Sequence, residues 1–410
     1  MKKVVILGAG VTGLTLARML RGYYDVTILE KDSQIGGIAK TKQVENVTYH
    51  LTGGHCFNSK FDEIMSFVFH ILPNEEWHKV ARNSQISLKQ FEIPYPIEYS
   101  VKKIYQYDKE LAISITRDFL AKQENSECST LEDWFISKFG KTLAELYFLP
   151  YNTKIWNRNL SEMSYEWVED KLPIPDKESF FESLISEKKD AMPHSTFYYP
   201  DTNDQMTMIN RLAQGTDIRC EVNVDKIEKV DNRWIVNEEY DADILISTLP
   251  VNRLPGIVRD TPFEVLDAAS KLKYNGVTNM LWETHESDKT WTYYPSGETI
   301  FHRYIHIGNF FSPRKPYTIV EAIGNRSYDE MLEYGKKDSF LLRPVDYHTS
   351  EYAYVVYDEF RSESLRVIFD YLRRINLYSI GRFGQWDYYN MDVCMKQSLE
   401  LATKLIEKAG

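Results

Sequence analysis

Residues 1–37, MKKVVILGAGVTGLTLARMLRGYYDVTILEKDSQIGG, decide the fold. Val4 to Leu7 are apolar and partly β-branched, as a buried parallel strand requires. Gly8, Gly10 and Gly13 follow as GxGxxG, and Leu14, Ala17, Arg18 and Leu20 continue as an amphipathic helix. A second apolar run, Val26 to Leu29, ends in Glu30 and Lys31. Gly8 permits the tight turn, Gly10 lets a pyrophosphate approach the backbone, and Gly13 lets helix and strand pack closely. Unpaired N–H groups and the dipole at the helix start then favour the phosphates. Glu30 stands about twenty residues on, where a carboxylate accepts from both ribose hydroxyls and disfavours a 2′-phosphate. Gly36-Gly37 follow the second strand closely, so the chain can pass a second stretch of an extended cofactor. That arrangement favours FAD over NAD.

Working outward, the chain of 410 residues is long enough for two or three domains, and 43% hydrophobic with 27% charged residues argues against disorder. Twenty-eight tyrosines suit a cleft that stacks and hydrogen-bonds a polar ring. A net charge of −11 argues against a general nucleic-acid or anionic-membrane surface, so any anion site must be a local pocket. No run approaches a membrane span. Cys56, Cys128, Cys220 and Cys394 are scattered, as reduced thiols of a cytoplasmic protein are. His and Cys nowhere fall at metal-ligand spacing, so no metal is expected.

Downstream, Gly53-Gly54 precede His55, either as a tight turn with a structural His or as backbone brought to a flat ligand with His55 as donor or proton handler. Residues 61–194 read as mainly helical. Thr130 with Asp133 three on starts a helix, Gly140 stops it, and Pro150 ends the next. Tyr151, Asn152, Lys154, Trp156 and Lys171 line a pocket for a polar anionic ligand, or are a core Trp with solvated lysines. Val224 is placed to meet an adenine through its backbone. Arg303 either clamps a phosphate bidentately or forms an ordinary surface pair. At the far end, Gly381 and Gly384 follow a strand, and a helix beginning near Asn390 and Asp392 points its N-terminus at a second polar part of the cofactor. First and last stretches thus belong to one split cofactor domain.

The motifs GAGVTGL, Gly36-Gly37, GGH at 53–55, IPYPIE, PYNTKIW at 150–156, STLPVN and GRFGQW…NMD resemble those of UDP-galactopyranose mutases, particularly the eukaryotic-type branch, within the amine oxidase-like FAD flavoproteins. They run in the right order over nearly the whole chain. The resemblance implies an α/β architecture. A split Rossmann-like FAD-binding domain of glutathione-reductase type covers 1–60, 195–262 and 365–410, a mainly helical insertion covers 61–194, and a substrate domain with a six-stranded sheet covers 263–364. It implies an isomerase serving cell-surface polysaccharide biosynthesis. Such a nucleotide-sugar mutase interconverts pyranose and furanose forms of UDP-galactose or a related sugar through attack of reduced-flavin N5 on the anomeric carbon. The alternative within the group is an oxidoreductase that passes a hydride from substrate to flavin. A UDP-sugar is the expected partner and NAD(P)H the expected reductant; a homo-oligomer is allowed.

Carried over motif by motif, His55, Lys171 and Arg303 are the expected catalytic residues. Tyr151, Asn152, Trp156, Tyr354 and Tyr389 are expected to bind substrate. Gly54, Arg382, Asn390, Met391 and Asp392 join Gly8, Gly10, Gly13, Glu30, Lys31, Gly36, Gly37, Val224 and Gly381 around the cofactor. Two departures stand out. Lys171, in EDKLPIP, replaces an arginine, keeping charge but losing the planar fork. Asp201, Thr202 and Asn203 replace a glycine-rich turn, and their side chains are expected to crowd the flavin or reshape the sugar pocket.

Overall fold

The computed structural model describes residues 1–88, 90–122, 128–168, 172–186 and 195–408. Strand Lys3–Leu7, buried from Val4 onward, sits at the middle of a five-stranded parallel sheet. The order is Tyr378–Ser379, Ile244–Ser247, Lys3–Leu7, Asp25–Leu29, Asp217–Arg219, with Val5 in register with both Thr27 and Leu245. The sheet therefore draws strands from both ends of the chain. Helix Val11–Leu20 leaves the end of the central strand and packs on helix Met391–Glu407. The Ser398 hydroxyl donates to the Thr12 carbonyl at 3.0 Å, and the Tyr24 hydroxyl to that of Leu405 at 2.7 Å. This is a Rossmann-like arrangement, with a ligand crevice at the carboxyl ends of the strands.

A second, mixed sheet has seven strands, in the order Leu341–Val355, Tyr274–Thr284, Tyr317–Ile323, Phe301–Ile305, Trp291–Tyr293, Ser84–Ser87, Glu92–Pro94. The last two come from within the mainly helical stretch 61–194, where SQISLKQFEIPYPIE reads as strand-like and Pro94 favours an edge. They join because Trp291–Tyr293 accepts Ser84–Ser87 as a parallel neighbour. Strands Trp77–Ala81 and Thr196–Pro200 pair antiparallel on either side of the helical stretch.

Within the block, Thr130 and Asp133 form a reciprocal capping box, and Gly140 ends that helix at φ +80°. Pro150 does not end the following one. A π-helical turn, Ala144–Phe148, precedes it, and Pro150 lies in the first turn of helix Leu149–Trp156. There its missing N–H costs nothing. Among the described residues no helix is long and apolar enough to cross a membrane.

Candidate functional site

A cavity of about 660 Å³ runs along the carboxyl ends of the parallel strands. At one end the Gly8–Val11 turn and Glu30 line it. The amides of Ala9 and Asp32 donate to Glu30 Oε2 and Oε1 at 2.8 and 3.0 Å, so the carboxylate is fixed before any ribose arrives. Gly36 (φ +116°) and Gly37 (φ +58°) line the same wall, and a Cβ on Gly37 would stand 3.1 Å from the Gly10 Cα. The two glycine turns touch backbone to backbone, closer than side chains allow. Gly13 acts from behind: its Cβ would fall 2.1 Å from the Gly8 carbonyl oxygen. Gly381 (φ +86°) likewise lies against Thr12 rather than in the cavity.

Two helix N-termini face this space. That of Val11–Leu20 has no acidic residue in its first turn and no side-chain cap, so its amides are open to a phosphate. That of Met391–Glu407 carries Asp392, buried and accepting from the Ser59 hydroxyl at 3.0 Å. A carboxylate there repels phosphate and suits hydroxyl groups. Lys31, Gly54, His55, Arg382, Tyr389, Asn390 and Met391 also line the cavity. Volume, open amides and the fixed acid fit an adenine dinucleotide with a second polar portion. Val224 does not line the cavity. Its neighbour Val222 donates instead to the Glu30 carbonyl at 2.9 Å, and Val224 packs against the core.

Next to His55, the residues Gly53, Arg303, Glu321, Tyr354 and Tyr388 do not line the cavity. Gly53 (φ +72°) rests on the seven-stranded sheet, where an added Cβ would be 2.9 Å from Arg303 Nη2. Arg303 pairs with Glu321, both Nε and Nη2 lying 2.7 Å from Oε1. The guanidinium is 22% exposed and the carboxylate 1%. Burial alone would push the Glu321 carboxyl up; Arg303, then His302 with Nε2 3.0 Å away, outweigh it and hold it at about 2. The acid therefore stays ionised and orients Arg303 while leaving part of the guanidinium open. The Tyr354 hydroxyl donates to Glu321 at 3.3 Å, and its ring stacks on Tyr388 at 5.7 Å. Arg382 lies over Tyr388 at 4.1 Å, donating to the carbonyls of Ala353 and Tyr389 at 2.6 and 3.0 Å.

His55 sits between the two regions. Its Nε2 faces the Thr52 carbonyl at 2.6 Å, so Nε2 carries the proton and Nδ1 the lone pair. Burial, reinforced by Arg382 and Arg303, lowers it to about 4, although the Thr52 carbonyl opposes that shift. His55 is neutral at pH 7. Its own amide donates to His50 Nδ1 at 3.2 Å, and His50 Nε2 meets the Tyr199 hydroxyl at 2.7 Å. Burial lowers His50 to about 3.

The PYNTKIW residues are placed differently from one another. Tyr151 meets Tyr293 edge-on at 5.7 Å, close to Arg303. Trp156 is 4% exposed, its Nε1 donating to Asn152 at 3.1 Å and its faces met edge-on by Trp167 and Tyr354. With its rings covered, Trp156 is core, and Asn152 brackets it. Lys154 is spent on carbonyl oxygens and offers no charge to a ligand. Lys171 lies outside the described residues. The Asp201–Asn203 turn does not enter the cavity: Asp201 meets His78 Nδ1 at 2.9 Å, and Asn203 adopts φ +57°, a conformation asparagine tolerates in place of glycine.

Arg82, Trp291, Tyr293, Glu321 and Tyr388 went unread in the sequence. Arg82 lines the cavity, lies over Trp291 at 4.6 Å and donates to the Tyr293 hydroxyl at 3.0 Å. Glu321 alone had a readable signal, as a lone acid in the apolar strand YTIVEAI.

Residues 6–70 match a family of NAD(P)-binding Rossmann-like domains. The chain is 24% identical to a probable UDP-galactopyranose mutase of Klebsiella pneumoniae over 201 residues, 47% of this chain and 50% of that one. It thus spans about half the length of that relative. With a dTDP-fucopyranose mutase of Escherichia coli it is 21% identical over 420 residues, 99% of both chains. A crystal structure of a reduced UDP-galactopyranose mutase superposes with a TM-score of 0.87 at 22% identity, covering 99% of this chain and 96% of that one. The fold is that of UDP-galactopyranose mutase. It joins a dinucleotide-binding domain to a wall of guanidinium and tyrosine, and the motif-by-motif resemblance agrees with it.

Proposed function

We propose that the chain is an isomerase, an FAD-dependent mutase that interconverts pyranose and furanose forms of a nucleoside-diphosphate sugar. The observation that carries this reading is a juxtaposition. The dinucleotide cradle ends at His55 and Arg82; close to His55 lie Arg303 and Glu321, which hold Tyr354, and Arg82 donates to Tyr293. Gly8, Gly10, Glu30, Gly36, Gly37 and the two helix starts would hold FAD. The chemistry that reduced FAD supplies when bound is a nucleophile, N5, for the anomeric carbon.

The chain's own residues do the rest. Arg303, oriented by Glu321, and Arg82, held by Tyr293, offer guanidinium N–H groups to a diphosphate leaving group. Burial keeps the Tyr354 hydroxyl protonated, and it donates to Glu321, helping to hold the carboxylate that orients Arg303. His55, neutral and with a fixed tautomer, presents a lone pair rather than a charge beside the cofactor. Buried aromatic walls exclude water from the cleft. The net charge of −11 makes this concentration of arginine local to the site. The same arginines disfavour an ammonium substrate, which weighs against the amine-oxidising alternative. UDP-galactose and dTDP-fucose are the sugars to try first, with NAD(P)H as reductant, and we place the activity in the cytoplasm, where the four cysteines, none in a disulfide, stay reduced.

The test is conversion. Purified, FAD-loaded protein is incubated with UDP-galactopyranose or dTDP-fucopyranose, with and without dithionite, and the furanose product is separated by chromatography. Product only under reducing conditions supports the reading. Failure to convert either sugar, or its furanose in reverse, in the fully reduced protein would falsify it for these substrates.

A further inference from the structure

The turn joining Trp291–Tyr293 to Phe301–Ile305 aims several carbonyl oxygens at one point. Lys154, from helix Leu149–Trp156, occupies that point. Its Nζ lies 2.9 Å from the Tyr294 oxygen, 3.0 Å from that of Thr299 and 3.1 Å from that of Phe301, and it also meets the Ser296 oxygen. These partners are all carbonyls. An ammonium has three N–H bonds, so one of four carbonyls is held by charge alone. Carbonyl dipoles pointed at a common centre repel each other unless a cation replaces its hydration shell with them, as in a potassium-selective ring. Burial pushes this ammonium down to about 8, so at neutral pH it remains charged.

We propose that residues 294–301 form a monovalent-cation cage whose built-in occupant is the Lys154 ammonium, and that filling the cage sets the spacing of the substrate cleft. The helix bearing Lys154 also bears Tyr151, while the hairpin that supplies the carbonyls bears Tyr293 and Arg303. Tyr151 and Tyr293 meet edge-on at 5.7 Å, close to Arg303. The end of the helix has its own anchor: Asn275 Nδ2 donates to the carbonyls of Ile155 and Trp156 at 3.1 and 2.7 Å. Lys154 is thus the tie on the side facing the hairpin, a positioning residue that spends its charge on backbone and none on ligand. Its charge also reaches His302 and helps keep that ring neutral against Glu321. The cage stands on geometry alone; the link to substrate spacing rests on the proposed mutase reading.

Removing the side chain should leave a vacant cage that a free cation of similar size can enter. Potassium and ammonium fit that description; sodium is smaller and tetramethylammonium too large. The FAD-loaded Lys154→Ala protein is melted at equal ionic strength in each of the four chlorides, beside the unaltered protein. Expected are a lower Tm by several degrees, partial recovery in potassium or ammonium, and no distinction among salts for the unaltered protein. Lys154→Gln, neutral but still a donor, replaces Ala if the Ala variant does not accumulate, and should respond to the same two cations more weakly. A variant melt indifferent to the cation, or an unaltered protein that responds equally, overturns the cage. Calorimetric titration with UDP, or with dTDP where UDP does not bind, reads the second half: affinity should fall several-fold in the variant and return with potassium. Unchanged affinity overturns the spacing role. Binding undetectable for both UDP and dTDP, even in the unaltered protein, overturns the nucleotide-sugar reading and with it the spacing role, while the melts still judge the cage.

Discussion

At the Glu30 end of the cavity the groups offered to a ligand are mostly backbone: amides of the Gly8–Val11 turn, bare glycines, two helix starts. Around Arg303 they are side chains, each held by another side chain: Arg303 by Glu321 on the adjacent strand, Arg82 by Tyr293, Tyr354 against Tyr388. Backbone sites tolerate little change in shape, because there is no rotamer to yield. Side-chain sites tolerate changes in shape but not in charge, because burial leaves any partner stranded.

This contrast can be broken in five ways. The largest effect should come from acid. His50 and His55 are neutral when folded, at about 3 and about 4, and near 6.5 when unfolded. The unfolded chain therefore binds more protons, and stability falls as pH drops from 6.5 towards 4. Each unit of difference contributes roughly 1.4 kcal/mol, so the loss should reach several kcal/mol in Tm-versus-pH profiles. Glu321, at about 2 against 4.5, adds a second limb, fully stabilising above 4.5 and lost as pH falls through 2. A profile flat between pH 6.5 and 4 would contradict the buried-neutral assignment.

Next, Glu321→Ala strands Arg303 against a buried gap and should cost about 3–5 kcal/mol in denaturant unfolding. A loss below about 1 kcal/mol would show that water already serves the pair. Gly13→Ala puts a carbon against the Gly8 carbonyl and should cost about 3 kcal/mol, the upper end for overpacking, with loss of bound FAD. Full retention of yellow colour would disprove the backbone account of the cradle. Arg303→Ala should keep FAD while weakening UDP-sugar binding by about 2 kcal/mol, read by titration calorimetry. Equal affinity would take Arg303 out of the site. Smallest, Thr130→Ala removes a capping box remote from both ends and should cost about 1 kcal/mol of stability with no change in either ligand.

The same contrast explains what could be read without coordinates. GxGxxG, the acid at 30, Gly36-Gly37 and the closing NMD are local patterns with backbone causes, and the structure places them around one cavity. Trp156 misled because an aromatic reads alike whether it faces ligand or core, and only the bracket from Asn152 tells them apart. Pro150 misled because a preceding π turn makes its missing donor harmless. Arg82, Tyr293 and Tyr388 were invisible because Arg82 and Tyr293 stand 211 residues apart, and because Tyr388, in a loop, meets a Tyr354 that belongs to strand Leu341–Val355. The Asp201–Asn203 departure looked disruptive, yet the asparagine takes the left-handed geometry and Asp201 turns to His78.

The central strand Lys3–Leu7 has one neighbour at Ile244–Ser247, and that neighbour in turn pairs with Tyr378–Ser379. A ribosome makes the first glycine turn early and the last helix start late. Until residues near 390 have emerged, the nascent chain holds half a cradle with nothing to close it. Cofactor retention should therefore need both segments: chains interrupted before helix Met391–Glu407 should stay colourless, and colour reports that the two cradle halves have met.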